Sequence, residues 1–474
     1  MAVRHYQLTL TAVGPIHIGN DQTIGGKDYF VLDAKTLGIL DVRRFVEELD
    51  PEELEEYCEF LEEDSSVGLD MFLSRRQRLR SRACAHVKYS IAATLSKSRK
   101  GDPQYLDARS FVKDGEGQPY VPGSSVKGMI RTALLTHVIQ NNRAGYMPLY
   151  DGRKARNRED RAKACRAIER KAFWREGPTG DADDFDIMRY ISVSDSQPLS
   201  TADLVFGKKY DKFSRGDSGR HKRNMGNLSD ETYYQGNELN IYRECLKPGT
   251  KSEFSLDVDD RIDAHLGGLS LDGDGIIEVL RESFELYQKR FLDVFDLEEL
   301  GKASEGNGSA LDDGRCCYIY TSGPFAGSRC RNRSVGGTGY CNSHQDQVVD
   351  AAAEEDGVQA YCLLGGGTDF DSKTVVQALF EESDDAAAEI ARILYAQFPT
   401  KVNKSTHPVL FDGVRDAGFD PRPFNGRGKQ KKEDHRHWMD IQLGVSPHTV
   451  KLGIVGGKKY PMGRCAVEIE EREV

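Results

Sequence analysis

At 474 residues, 38% hydrophobic and 30% charged, the chain is long enough for two or three cores and too apolar for disorder throughout. It has no run of roughly 18 apolar residues that could span a membrane, and its start, MAVRHYQLTLTAVG, lacks the apolar core of a signal peptide; a cytoplasmic protein without a membrane partner is expected. Ten cysteines are too sparse for a disulfide scaffold, and the net charge of −11 hides a basic block: Arg75 to Gly177 holds 24 Lys and Arg against 9 Asp and Glu, a density that suits a polyphosphate track.

In chain order, Tyr6, Leu8, Leu10 and Ala12 alternate with His5, Gln7, Thr9 and Thr11, the period of a half-buried strand, which Gly14-Pro15 ends. A second strand, Tyr29 to Leu32, leads to a helix after Asp41, and Asp50-Pro51-Glu52-Glu53 opens another with an N-cap and proline in its first turn. VPGSSVKGMIRTALLTHVI (121–139) predicts a turn and then an apolar helix whose first turn holds Ser124, Ser125 and Lys127. Residues 141–235 read mainly as a long basic insertion, with one helix around 158–174.

Regular structure resumes with alternating Phe254, Leu256 and Val258, followed by a helix over about 275–298 whose stripe of Ile277, Leu280, Phe284, Tyr287, Phe291 and Phe295 belongs in a core. Low-complexity acidic stretches at 299–314 and 345–356 bracket a cysteine-rich segment. Then come a strand (358–364), the glycine loop GGGTDFDSKT (365–374), a helix carrying Val376, Leu379, Ile390 and Leu394, and closing strands at 449–455 and 464–470 with Cys465, Val467 and Ile469 on one face. The segments are 1–140, a basic insertion at 141–235, a continuation at 236–314, a cysteine module at 315–346 and a C-terminal portion at 347–474. The class is α+β.

PGSSVKG delivers backbone N–H groups, two hydroxyls and Lys127 to a helix start, with Arg131 one turn on, a constellation that binds anions. The spacing GxxxxGK[ST] is absent, which excludes a nucleotide-triphosphate loop. In GGGTDFDSKT the glycines admit a close backbone approach, and Asp371 or Ser372 is placed to cap the following helix. Cys317, Cys330, Cys341 and His344 supply three thiolates and an imidazole, a closed tetrahedral set for structural zinc, with Cys316 as the alternative to Cys317. Arg329, Arg331 and Arg333 of that module could meet phosphate or an acidic partner.

The ordered set LTAVGPIHIGN (10–20), KDYF (27–30), PYVPGSSVKGMIRTALL (119–135), ISVSDS (191–196), IYREC (241–245), LLGGGTDFDSKT (363–374) and YPMGRCAVEI (460–469) resembles the RAMP-superfamily subunit of type III-A CRISPR (Csm) effectors that caps the crRNA 3′ end. The resemblance runs from residue 4 to about 470. It implies RRM-like (ferredoxin-like) cores, a structural subunit with no catalytic residue, and a role in crRNA maturation and complex assembly. It also implies crRNA as partner, together with other Csm-type subunits, especially the repeated backbone RAMP subunit, and names a host nuclease as a further candidate. Carried over by position, Gly123, Ser124, Ser125, Lys127 and Arg131 of PGSSVKG and Gly365, Gly366, Gly367 and Lys373 of the glycine loop are the pieces that meet RNA. The chain departs at Arg464, where the family's closing motif has tryptophan after the glycine.

Because relatives in this superfamily cleave RNA, an endoribonuclease is the alternative, with His17, His137, Asp21 and Asp28 as its candidates. The plainer readings make His17 a structural turn residue and His137 a core or solvent-facing one. His435 and His437 in KEDHRHW read as a solvated charged loop able to take an adventitious metal. A zinc-dependent protein adaptor that never meets RNA is the third reading.

Overall fold

The computed structural model describes residues 2–295, 358–423 and 436–472, apart from 34, 64–66, 94–105, 151–157, 178–183, 215–235, 403, 406–407 and 457, together with residues 297, 332, 333 and 343. The cysteine module's Cys316, Cys317, Cys330, Cys341 and His344 lie outside the described residues, as do both acidic stretches and His435.

Two sheets form the framework. The first is antiparallel and joins strands from both ends of the chain: β1 (Val3–Ala12) lies between β12 (Lys251–Asp259) and β18 (Arg464–Glu471), with β9 (Ile191–Val193) and β13 (Ala360–Leu363) at its edges. Its inward residues alternate as the sequence pattern requires: Tyr6, Leu8 and Leu10, Phe254, Leu256 and Val258, and Cys465, Val467 and Ile469 are all buried. The second sheet runs β2 (Gly19–Ile24), β6 (Ala108–Phe111), β11 (Gly236–Leu246), β10 (Leu204–Phe213), β5 (Val87–Ala93), β4 (Thr36–Leu40), β3 (Tyr29–Asp33). Strand β10 is its hub. One edge pairs with β11, while the other is shared between β5, parallel at Val205 and Phe206, and β16 (Thr449–Val455), antiparallel from Lys208 to Phe213 and extended by β17 (Lys458–Pro461). Two short pairs, β7 (Trp174–Arg175) with β8 (Phe185–Asp186) and β14 (Lys401–Val402) with β15 (Arg422–Pro423), lie off both sheets.

Helices α5 (Gly123–Asn141) and α8 (Gly273–Arg290) pack on each other and supply Val126, Ile130, Leu134, Ile276 and Leu280 to one continuous core with the first sheet. Four helices, α1 (Val42–Glu47), α2 (Pro51–Glu62), α3 (Leu69–Leu73) and α4 (Gln77–Ala85), close over β3 and β4 around Phe30, Phe45, Tyr57, Phe60 and Phe72. The expected cap of α2 is a full capping box: Asp50 accepts from Glu53 N, and Glu53 accepts from Asp50 N.

Three expectations need correction. Residues 141–235 are not mainly an insertion: besides the anticipated basic helix, here α7 (Arg158–Phe173) after the short α6 (Arg143–Tyr146), they supply β9 and the hub strand β10. Hydropathy hides the hub strand because LVFGKKYDKF carries Lys208, Lys209, Asp211 and Lys212 at half-buried and buried positions. The helix after the glycine loop is broken at Phe380–Glu382 into α9 (Val376–Leu379) and α10 (Ser383–Gln397). The helix expected over 275–298 stops at Arg290 and continues as a single-turn Leu292–Phe295 segment. Among the described residues no helix is long and apolar enough to cross a membrane.

Candidate nucleic-acid interface

Three glycine segments far apart in the chain meet at the seam between the sheets. Gly366 N donates to His17 O at 2.6 Å, Gly463 N to Pro15 O at 2.9 Å, and Leu364 N to Gly463 O at 2.8 Å. Gly365 holds φ +85°, and a methyl group there would overlap the His17 carbonyl oxygen and lie 3.0 Å from its carbon. Gly367, at φ +84°, lies under the Arg243 guanidinium, which a methyl group would meet at 3.3 Å. The loop therefore needs glycine for both backbone conformation and clearance. Arg464, the departure from the family's pattern, fills its place with a guanidinium 4.3 Å over the Tyr361 ring and 5.3 Å over Phe284.

The support beneath this loop is polar and buried. His17 is 5% exposed, and its Nδ1–H donates to Glu244 O at 2.7 Å. Burial, reinforced by the Arg243 charge, lowers its pKa and keeps the ring neutral. The Glu244 side chain is fully buried in β11 and accepts from Tyr89 Oη (2.5 Å), Ser110 Oγ (3.1 Å), Phe111 N (2.9 Å) and Lys113 Nζ (2.5 Å). Strand alternation then turns Arg243 to the opposite face, beside the glycine loop.

That face gathers positive charge. Arg243, Arg109 and Lys373 have no side-chain hydrogen bond or ion pair among the described residues. Burial followed by Arg243 repulsion lowers the Lys373 pKa. Lys209 shifts down through burial and then Lys451, although Lys209 and Lys451 share Asp211 at 3.3 and 3.1 Å. Cations that repel one another at a glycine-lined surface form an anion-accepting face.

Behind the loop lies a cavity of about 390 Å³ between α5 and α8, lined by Ser125 and Gly128 of PGSSVKG, Phe284, and Gly365, Gly366 and Lys373. The two expected RNA motifs thus share one cavity. At the start of α5, Gly123 N donates to Asp195 Oδ1 at 2.8 Å, and a methyl group at 123 would overlap backbone oxygens of Val193 and Ser194. Ser124 is exposed. Lys127 Nζ donates to Ile191 O at 2.7 Å, and Arg131 Nη1 to Asp186 Oδ2 at 2.7 Å with its guanidinium 4.2 Å over Phe173. Both helix-start cations therefore have partners in their own chain, and an internal carboxylate occupies the helix N-terminus.

The expected cap after the loop differs. Asp371 is buried and accepts from Gln377 Nε2 at 2.5 Å, Ser372 Oγ donates to Asp369 O, and Thr374 Oγ1 takes the Val376 N–H. The chain turns so tightly here that the acidic side chains point inward. Asp369 accepts from Lys451 N and Tyr287 Oη, both at 3.0 Å, tying the loop to β16 and α8; burial raises its pKa to about 7.

The nuclease candidates have structural engagements. His137 Nδ1 pairs with Glu282 at 2.6 Å, Asp28 accepts from Gly25 N at 2.6 Å, and Asp21 is an exposed residue at φ 62°. His437 is not in a solvated loop: it is 7% exposed, packed beside buried Trp438. IYREC is one of the motifs of the resemblance, but nothing local to it assigns a role to Arg243 or Glu244, and Arg109 lies in no motif. The alternation of polar Arg243 and Glu244 between Tyr242 and Cys245 was the available signal.

The profile described as "RAMP superfamily" matches residues 9–272, more than half of the chain. Among curated relatives, "CRISPR system Cms protein Csm5" of Streptococcus thermophilus is 26% identical over 259 residues, covering 53% of this chain and 64% of that protein. The protein of the same description from Mycobacterium tuberculosis (strain CDC 1551 / Oshkosh) is 25% identical over 301 residues, covering 59% and 73%. The match thus spans a little under two thirds of the streptococcal relative's length. Among solved structures, a chain of the "Cryo-EM structure of Csm-crRNA-target RNA ternary complex in type III-A CRISPR-Cas system" superposes with TM-score 0.52 at 17% identity, covering 98% of this chain and all of that one, a likeness of fold.

Proposed function

The chain belongs to the RAMP superfamily, and on that premise we propose that it is a non-catalytic, RNA-binding subunit of a type III-A CRISPR effector. In this reading it covers the 3′ portion of the crRNA and supports crRNA maturation and complex assembly in antiviral defence. The relatives named Csm5 and the full-length likeness of fold to a chain of a Csm–crRNA–target RNA complex support this reading. The observation that carries it is the glycine loop Gly365–Gly367, pressed on His17, with the cations Arg243, Arg109 and Lys373, unpartnered among the described residues, beside it. A ribose-phosphate backbone needs close approach and positive charge, and this surface offers both without a base-reading side chain. Gly123, Ser124, Ser125, Lys127 and Arg131 frame the neighbouring helix start, where Ser125 opens onto the shared cavity.

The partners in this reading are crRNA and the other Csm-type subunits, the repeated backbone RAMP subunit first among them. Cys317, Cys330, Cys341 and His344 would hold a structural zinc whose four positions are all filled by protein, leaving none for a reactive water. The test is co-expression with the other subunits, sequencing of the co-purified RNA and mapping of crosslinked peptides. Crosslinks at 243, 365–367 or 373 to the guide's 3′ portion are the expected result; RNA-free complexes, or RNA shortened by the purified chain, would overturn the proposal. Arg243→Ala with Lys373→Ala should lower RNA retention and reduce the slope of log K against log salt by about 1.4, the contribution of two single-strand phosphate contacts.

A further inference from the structure

We propose that His437, Asp440 and His448 form a divalent-cation site of the zinc class, separate from the cysteine module, that fastens the C-terminal segment to the base of β16. Their donor atoms all lie within 4.8 Å of one another. His437 Nδ1 is 2.9 Å from Asp440 Oδ2, His448 Nδ1 is 2.8 Å from Oδ1, and Ser446 Oγ is 2.8 Å from Oδ2.

Charge and burial give this arrangement its meaning. Asp440 is fully buried and His437 nearly so. Among the described residues no Lys or Arg pairs with Asp440; its ion-pair partners are the two imidazoles. A carboxylate removed from water needs a compensating positive charge, and among the described residues no Lys or Arg brings one. A divalent ion supplies it, and two imidazoles with a carboxylate are a donor set that zinc accepts at about 2.0–2.1 Å. Ligands around a tetrahedral ion with such bonds stand roughly 3.3 Å apart, so each imidazole needs to draw back from Asp440 by about half an ångström. Ligation through Nδ1 places each neutral ring's proton on Nε2, and Ser446 or a water completes the shell.

The placement links this ion to the interface without touching RNA. His437 and Asp440 sit on consecutive short helical turns (His437–Met439 and Asp440–Leu443), and His448 immediately precedes β16. The His448 carbonyl accepts from Ser214 N at 3.1 Å, and three residues on, Lys451 N reaches Asp369 in the glycine loop at 3.0 Å. An ion here would close the 444–447 turn and fix the register of β16 against β10.

The test uses the full-length chain, stripped of metal, reloaded with Zn²⁺ and desalted. Metal per chain is counted for the wild type, Asp440→Asn and His437→Gln. The wild type should hold one equivalent more than either variant, and Zn²⁺ should raise its melting temperature by more than it raises theirs. X-ray absorption at the zinc edge of the wild type is a second reading that does not depend on how the variants fold. Nitrogen and oxygen neighbours should outnumber sulfur, because a cysteine module alone gives three sulfurs to one nitrogen. Equal metal counts in all three chains, or a sulfur-dominated zinc shell at one equivalent, would overturn the proposal.

Discussion

Replacing Gly365 with alanine tests whether the glycine loop is held by close backbone contact. At φ +85° an alanine pays the left-handed penalty of about 1–2 kcal/mol. Its methyl group would also occupy the space of the His17 carbonyl oxygen, so the 2.6 Å bond from Gly366 N is lost, a further cost of about 1 kcal/mol. The sum, about 2–3 kcal/mol, corresponds to a fall in melting temperature of roughly 2–3 °C for a chain of this length, at about 2.1 cal/mol/K of unfolding entropy per residue. Gly115→Ala is the control, since it lies in open space without a positive φ, and it should change stability by less than about 1 kcal/mol. Thermal unfolding of both variants, followed by RNA yield per folded molecule, reads the effect. If Gly365→Ala melts with Gly115→Ala and the wild type, the loop is not pressed on His17 and the geometry assigned to the interface is wrong.

Glu244→Ala removes the acceptor of four donors and strands the Lys113 ammonium, so it should cost about 3–5 kcal/mol, measured by denaturant unfolding; a cost under 1 kcal/mol would show the network to be dispensable. Asp369 holds its proton to about pH 7 when folded, against 3.8 for its ordinary value, so the folded state binds more protons than the unfolded across that window. Wild-type stability should therefore fall as pH rises from about 4 to 7, by up to a few kcal/mol, whereas Asp369→Asn should lose that slope; parallel pH profiles for the two would refute the assignment. Lys127→Ala with Arg131→Ala removes bonds to Ile191 O and Asp186, so it should cost about 1–3 kcal/mol and lower RNA retention per folded molecule less than the Arg243 and Lys373 pair does; the reverse order would move the interface to the helix start.

Periodicity and turn chemistry carried much of the fold. The alternation of β1, β12 and β18, the stripe of α8 and the capping box of α2 were legible because local pattern and tertiary burial agree there. Strand β10 was not, because LVFGKKYDKF carries three lysines and an aspartate on a strand paired along both edges, and its neighbours Arg243 and Lys451 come from other parts of the chain. The break at Phe380–Glu382 escaped for a similar reason: Arg290 donates to the carbonyls of Gln377, Phe380 and Glu381, a tertiary bond set that holds the chain out of helix. Such contacts have no local signature.

The site shows the same division between what local pattern contains and what assembly adds. Glycine and lysine at 123–131 are the pieces a reader of sequence singles out, yet the fold uses Gly123, Lys127 and Arg131 to hold Ile191–Asp195 and Asp186. Arg243 is less conspicuous in IYREC, but a fully buried Glu244 beside it in the strand forces it outward over Gly367. Within the basic block, carboxylates of the same chain pair with Arg76, Arg80, Arg82 and Arg131, and a backbone carbonyl holds Lys127. Arg109, Arg243 and Lys373, without partners among the described residues, gather beside the glycine loop, and on the proposed reading it is free charge with steric access, rather than charge density along the chain, that receives a phosphate chain.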